Sequence, residues 1–245
     1  MRILLTNDDG IDEPGLAALE FELSGHELWT VAPRWHCSGV GQSLGLYQTL
    51  RVRELASRRW AVEGSPTDCV KLALNELMRG AGPELVISGI NPGPNLANNV
   101  YYSGTVAAAT EASFWGIPAF AVSQGWSEDP DFGVTASIVG ELVAAGLHGH
   151  LPEGAILNVN VPRTGNGDRP AGYTWTTTGR FSVDIPFRSD GTGEVYSYRK
   201  VMPQPVADPE GTDVEAFEAG MVSLTLLRSD RSLVPSAELS GLLPG

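Results

Sequence analysis

The sequence predicts an α/β fold, a mainly parallel sheet with helices on both faces, and three observations carry that expectation. Residues 2–7, 27–33, 84–88, 117–123 and 155–161 are short, mostly apolar and rich in Ile, Val and Leu, as strands covered on both sides should be. Helical periodicity fills several of the intervals between them. Cap residues, prolines and glycines stand at the joints, and this alternation is the pattern of a layered parallel sheet.

Taken in order, the first strand runs directly into "NDDG", and Pro14 then opens a helix with Leu16, Leu19 and Leu23 on one face, closing at Gly25. The second strand follows at 27–33. The interval 45–64 breaks the rhythm: "LYQTLRVREL" and "RRWAVEG" read as two extended arms around a short turn, a β excursion. "SPTDCVKLALNELMRG" starts with cap residues, repeats apolar groups at Val70, Ala73, Leu74 and Leu77, and stops at Gly80. Segments 104–115 and 133–147 complete the helices. After Pro162 the periodicity changes, and extended stretches such as "GYTWTTT", "EVYSYRK" and "MVSLTLL" take over. The expected division is a core over 1–162 and a smaller β-rich C-terminal part over 163–245, or an arm that completes an oligomer.

Composition bounds the function. Sixteen Lys and Arg against twenty-nine Asp and Glu give a net charge of -13, which opposes association with a nucleic-acid polymer or an anionic membrane. A small anion remains compatible, because a bound cation and oriented amides can reverse the field inside one pocket. No apolar run approaches the ~20 residues of a membrane span, and the N-terminus shows no export signal. Cys37 and Cys69 form neither a disulfide scaffold nor a zinc cluster. These features lead to the expectation of a cytoplasmic protein.

In an open parallel sheet, ligands bind beyond the carboxyl ends of the strands. Asp8 and Asp9 stand there after the first strand. Neighbouring carboxylates repel unless one is protonated or a cation stabilises both, so the pair suggests a metal; a solvated Asn-Asp-Gly turn is the plainer account. Ser38 lies in "APRWHCSGVGQS" after the second strand, and Asn91 and Asn95 lie in "SGINPGPNLANN" after "ELVIS". Carboxylate, hydroxyl and amide oxygens suit magnesium, manganese or calcium. In "YYSGTVAAATEASFWG", Ser103 is a candidate N-cap, Gly104 permits close backbone approach, and Thr105 begins a helix whose first amides lack internal partners, an anion site. The same residues also describe an ordinary capped helix.

"TNDDGI", "VAPRWHCSG", "GSPTDCVKLAL", "VISGINPGPNL" and "YSGTVAAATEA", in this order and spacing, resemble the SurE survival-protein family of metal-dependent 5′/3′-nucleotidases, which are acid-phosphatase-like. The likeness resumes at "ILNVNVP" and "TDVEAFEAGMVSLTLL". It implies a Rossmann-like three-layer core and one divalent ion, Mg²⁺ or Mn²⁺, on Asp8, Asp9, Ser38 and Asn91. It further implies phosphate held near Asn95, Ser103, Gly104 and Thr105, and a homodimer or homotetramer joined partly by exchanged C-terminal segments. "RWHC" and Gly45 depart from the family's usual pattern at the pocket wall. The expected reaction is hydrolysis of a nucleoside 5′- or 3′-monophosphate by in-line attack of water, with Asp8 and Asp9 as the catalytic pair.

Two other readings follow from the residues. A metal-dependent nucleotide-binding module would use the same oxygens without cleaving anything. "GQSLG", residues 41–45, matches a serine-hydrolase nucleophile elbow and would make Ser43 the nucleophile of an esterase, but that motif demands a strand–turn–helix context, and the segment after it has β periodicity. "GVGQSLG" imitates a dinucleotide fingerprint with its third glycine one residue late. His26 and His36 read as surface or packing residues, and His148 and His150 as residues at a helix end.

Overall fold

Strand β1 (Arg2–Thr6) lies near the centre of the molecule, and its Ile3, Leu4 and Leu5 are fully buried, each worth about 1.5–3 kcal/mol of apolar burial. The structure, a computed structural model, describes residues 1–163, 169–181, 187–198, 210–230 and 232. After β1 come α1 (Pro14–Glu22), β2 (Glu27–Pro33), β3 (Val52–Ala56), β4 (Arg59–Val62), α2 (Pro66–Leu72), β5 (Leu85–Pro92), α3 (Gly104–Phe114), β6 (Ala119–Gln124), α4 (Gly133–Ala144) and β7 (Ala155–Val161). The chain continues through β8 (Tyr173–Thr176), β9 (Phe187–Ser189), β10 (Tyr196–Tyr198), α5 (Asp213–Glu218) and β11 (Val222–Arg228).

Among the described residues the main sheet has the order β3-β4-β2-β1-β5-β6-β7-β11-β8. The pairs from β4 through β2, β1, β5 and β6 to β7 are parallel, so the expected α/β class holds. Side chains alternate across it. Ile3, Leu5, Ile87 and Val122 pack with Leu16 and Leu19 of α1 and Ile138 and Leu142 of α4. Leu4, Val86 and Ala121 face Cys69 and Val70 of α2 and Ala108, Ala109 and Ala112 of α3. Three layers result. The chain grows from β1 towards β2 and then returns to add β5 on the other side, which makes the carboxyl ends of β1 and β5 the topological switch point.

Local chemistry accounts for the helix starts. Ser65 caps α2 in a reciprocal capping box with Asp68, with Pro66 at the first helical position. The single helix expected to run on to Gly80 widens into a π turn over Ala73–Leu77, where the Met78 amide donates five residues back to Ala73. The excursion at 45–64 contains the antiparallel β3–β4 pair, but its first arm starts only at Val52.

The C-terminal strands are distributed differently from the sequence expectation. β11 pairs antiparallel with β7, and β8 pairs parallel with β11, so both extend the core sheet across the boundary at residue 162. Alternating Ser223 and Thr225 on β11, with Thr176 on β8, bond to one another and let the added strands lie against the core. Among the described residues only β9 and β10 stand apart, as a two-stranded ribbon; Arg199 and Lys200 at the end of "EVYSYRK" lie outside the described residues, as does much of 163–245. Among the described residues no helix is long and apolar enough to cross a membrane.

Candidate metal and phosphate site

Asn7, directly after β1, builds the turn that carries the two aspartates. Its amide nitrogen donates to the Gly10 carbonyl at 2.8 Å, and its Oδ1 accepts the Gly10 amide at 3.2 Å. Asp8 and Asp9 are thereby held inside the closed turn and both are buried. The solvated-turn account fails on that burial.

Asp8 sits against the start of α3. Its Oδ1 accepts the Thr105 hydroxyl at 2.5 Å, and a Cβ on Gly104 would lie 2.7 Å from the Asp8 Cβ and 2.9 Å from its Oδ2. Only a glycine lets the helix approach this closely. Ser103 caps α3 by accepting the Val106 amide at 3.1 Å, which leaves its hydroxyl proton free to donate elsewhere. Thr105 is fully buried, and its hydroxyl is committed to Asp8.

Burial raises the Asp8 carboxyl above its ordinary value, against the Thr105 hydroxyl bond that lowers it. Asp9 is pushed further, to about 7, by burial, then by the Asp8 charge and by Glu13. Its Oδ2 is buried without a hydrogen-bond partner, and its Oδ1 lies 3.4 Å from His36 Nδ1. His36, read from sequence as a surface or packing residue, stands at the edge of the site.

Ser38 is exposed and follows Cys37, whose amide donates to the Asp8 carbonyl at 2.7 Å, so that single bond ties the Ser38 loop to the aspartate turn. Asn91 belongs to the end of β5, where sequence had placed a loop. An extra residue in β5 shifts its register against β6, from Ser88 opposite Ala121 to Asn91 opposite Ser123, and such a bulge re-aims the following side chain. Gly89 makes this possible at φ +144, with a would-be Cβ 2.4 Å from the Val122 carbonyl. The Asn91 amide nitrogen donates to Gly93 at 2.5 Å, which orients Oδ1 as the end left for a cation.

Asn95 is buried, and its surroundings contain residues the sequence reading passed over. Its side-chain nitrogen donates to Ser123 at 2.8 Å, its backbone amide to Asn160 Oδ1 at 2.7 Å, and its carbonyl accepts from Asn158 and Asn160. The signal was present: "LNVNV" puts two asparagines on one face of a wholly buried strand, where unpaired amides are costly. Asp213 was missed as well; fully buried, it accepts the Ala97 amide at Oδ2, 2.9 Å, and the Gly179 amide at Oδ1, 2.8 Å.

Among the described residues no three His, Cys, Asp or Glu side chains are grouped to hold a metal. A cation here would need the two carboxylates completed by neutral oxygens, and the donor set of Asp8, Asp9, Ser38 and Asn91 has that hard, oxygen-only character. The partnerless Asp9 Oδ2 fits this reading, since a buried carboxylate oxygen is ordinarily bonded. Ser43 occupies an exposed loop, its carbonyl accepting the Ser65 hydroxyl at 2.6 Å, and no helix follows it before β3. The nucleophile elbow and the dinucleotide fingerprint both lack their required helix.

Comparison with known proteins places the chain in a family. The family model described as "Survival protein SurE" matches residues 3–184. A "5′-nucleotidase SurE" of Methylocella silvestris is 39% identical, with 96% of both chains covered, and one of Rhodopseudomonas palustris is 41% identical, with 95% of both covered. The crystal structure of the SurE protein from Aquifex aeolicus superposes with a TM-score of 0.84 at 34% identity, covering 95% of each chain. With aspartates buried at the sheet's switch point, a helix start closed onto them and these likenesses running almost end to end, the chain belongs to the SurE survival-protein family.

Proposed function

We propose that the protein is a divalent-metal-dependent phosphatase that hydrolyses nucleoside 5′- or 3′-monophosphates to nucleoside and phosphate. The observation that carries this reading is the buried Asp8–Asp9 pair, one oxygen of it unpartnered, beneath the start of α3. The nucleotidase names of the relatives support the substrate class.

Asp8, Asp9, Ser38 and Asn91 would hold a single ion, Mg²⁺ or Mn²⁺. When bound, it supplies charge neutralisation for the phosphoryl oxygens and Lewis acidity towards water. The chain's own residues do the positioning. The Ser103 hydroxyl and the amides at Gly104 and Thr105 donate to phosphoryl oxygens, and Asn95, fixed by Ser123 and Asn160, adds the remaining proton of its side-chain amide. Thr105 keeps Asp8 at one angle while water attacks in line with the departing alkoxide.

The β9–β10 ribbon, with Phe187, Tyr196 and Tyr198 exposed, is the part of 163–245 that we assign to self-association in a homodimer or homotetramer. A cytoplasmic location accompanies this reading. The deciding experiment is a phosphate-release screen of nucleoside 5′- and 3′-monophosphates in EDTA, Mg²⁺ and Mn²⁺. Release from at least one of them with a metal, and none in EDTA, is the expected result. Nucleotide binding without phosphate release over a single turnover would instead favour the metal-dependent binding module.

A further inference from the structure

Asp213 lies 116 residues from Ala97 in sequence, on the far side of β7 and β8, yet its carboxylate is spent on the backbone of the loop that carries Asn95. Oδ2 accepts the Ala97 amide at 2.9 Å and Oδ1 accepts the Gly179 amide at 2.8 Å. Ala97 is held at φ 51, in the left-handed region that alanine rarely adopts. A second strut runs in parallel, with Asn98 Oδ1 accepting the Phe181 amide at 2.8 Å. Beneath them Leu96, Ala97 and Val214 form a small apolar cluster of their own, with Phe181 and Phe217 against it.

Resting on the reading of Asn95 as a phosphate contact, we propose that Asp213 is a positioning residue: it locks the 95–98 loop in its left-handed turn and so fixes Asn95 for phosphoryl binding. Enclosed, it offers each of two backbone donors a carboxylate oxygen; burial raises its pKa, and the Gly179 and Ala97 amides act against that by stabilising the charged form. Asparagine cannot replace it, because its NH₂ would face an N–H donor. The aspartate turn at Asp8 and Asp9 is built by Asn7 and Gly10 and does not depend on this bridge. The segment after β8 is tied to the same residue: the Gly179 amide donates to the Asp213 carboxylate, the Thr177 carbonyl accepts the Asp213 backbone amide, and the Thr177 amide donates to the Gly211 carbonyl. The C-terminal part therefore reaches the phosphate side of the site.

The test is Asp213→Asn in the full-length protein, read by inorganic phosphate titration, Mn²⁺ titration and steady-state kinetics. Phosphate affinity should fall about tenfold, KM should rise by a similar factor, and Mn²⁺ affinity should stay within about twofold of wild type. Adding Ala97→Gly to Asp213→Asn should recover part of the phosphate affinity, since glycine adopts the left-handed turn without the carboxylate. A merely structural role would not give this split or this rescue. Unchanged phosphate affinity in the folded variant, or an equal loss of Mn²⁺ affinity, would overturn the proposal. Should Asp213→Asn not fold, Asn98→Ala removes the parallel strut at a half-buried position and must produce the same split. Wild type that binds phosphate but releases none from nucleotides would reject the proposed activity, while the phosphate titrations would still decide the role of Asp213.

Discussion

The hydroxyl of Thr105 donates to the Asp8 carboxylate at 2.5 Å, joining the first residue pair after β1 to the first turn of α3 across 97 positions of sequence. Without the hydroxyl, Asp8 would lose its fixed angle and part of the stabilisation of its charged form. Thr105→Val keeps the volume and removes the bond. Metal affinity should fall about 10–100-fold, the usual effect of deleting a partner that orients a ligand, and turnover with it. Thr105→Ser should restore most of both. Mn²⁺ titration of the three proteins, alongside phosphate release, decides it; a valine variant with wild-type Mn²⁺ affinity would sink the assignment.

Gly104 makes the same contact possible by having no side chain. An added methyl would stand 2.7 Å from the Asp8 Cβ and 2.9 Å from Oδ2, closer than real Cβ contacts come, and Asp8 is pinned in place by Thr105. Gly104→Ala should therefore leave the secondary structure intact while displacing the carboxylate, and turnover should drop by about 100-fold or more, the scale of a 1 Å misplacement. Far-ultraviolet circular dichroism checks the fold. Full activity would mean that α3 shifts away without consequence.

Legibility in the sequence followed locality. Asp8 and Asp9 are adjacent after an apolar run, and Ser103-Gly104-Thr105 opens a helix in consecutive residues, so each announces itself within a short window. Asn91 was read as a loop residue when it stands at the end of β5, because the register shift that returns it to the strand depends on the path of β6. Asp213 reads as an ordinary first-turn acid after the Thr212 cap, and only the tertiary fold turns its carboxylate onto Ala97. The sheet was legible through β7, where the parallel strands are mostly apolar. Beyond it, β11 alternates Ser223 and Thr225 with Val222 and Leu224, and its antiparallel return beside β7 has no signature in spacing alone.

Burial, the Asp8 charge and Glu13 push the Asp9 carboxyl to about 7 from 3.8. Between those values the folded, metal-stripped chain keeps a proton that the unfolded chain has lost, so stability falls as pH rises through the window. Asp9→Asn removes the penalty. Stripped of metal at about pH 8, the variant should melt several degrees above stripped wild type, with the gap closing by about pH 4. Mn²⁺ should raise the melting temperature of wild type much more than that of the variant. Thermal scans after EDTA treatment measure both effects, and identical pH dependence in the two proteins would contradict the assignment.

At the opposite end of the sheet, His148 provides a titration of the other sign. Its Nδ1 is buried without a hydrogen-bond partner, and burial lowers its pKa from 6.5, opposed by Glu84 and reinforced by His150 and His26. The folded chain thus disfavours the imidazolium that the unfolded chain readily forms. Stability should be unaffected by this group above about pH 7 and should decline as pH falls through 6.5, levelling off once the folded histidine is itself protonated. His148→Gln keeps a polar side chain that does not titrate in this range, so the variant should lose less stability than wild type between about pH 7 and pH 5. Partial exposure keeps the difference small, a few degrees in melting temperature. Activity at neutral pH should not change, because Leu147–His150 follows α4 at the edge away from Asp8. Parallel melting curves for the two proteins across that range would show that the buried Nδ1 carries no linkage to folding.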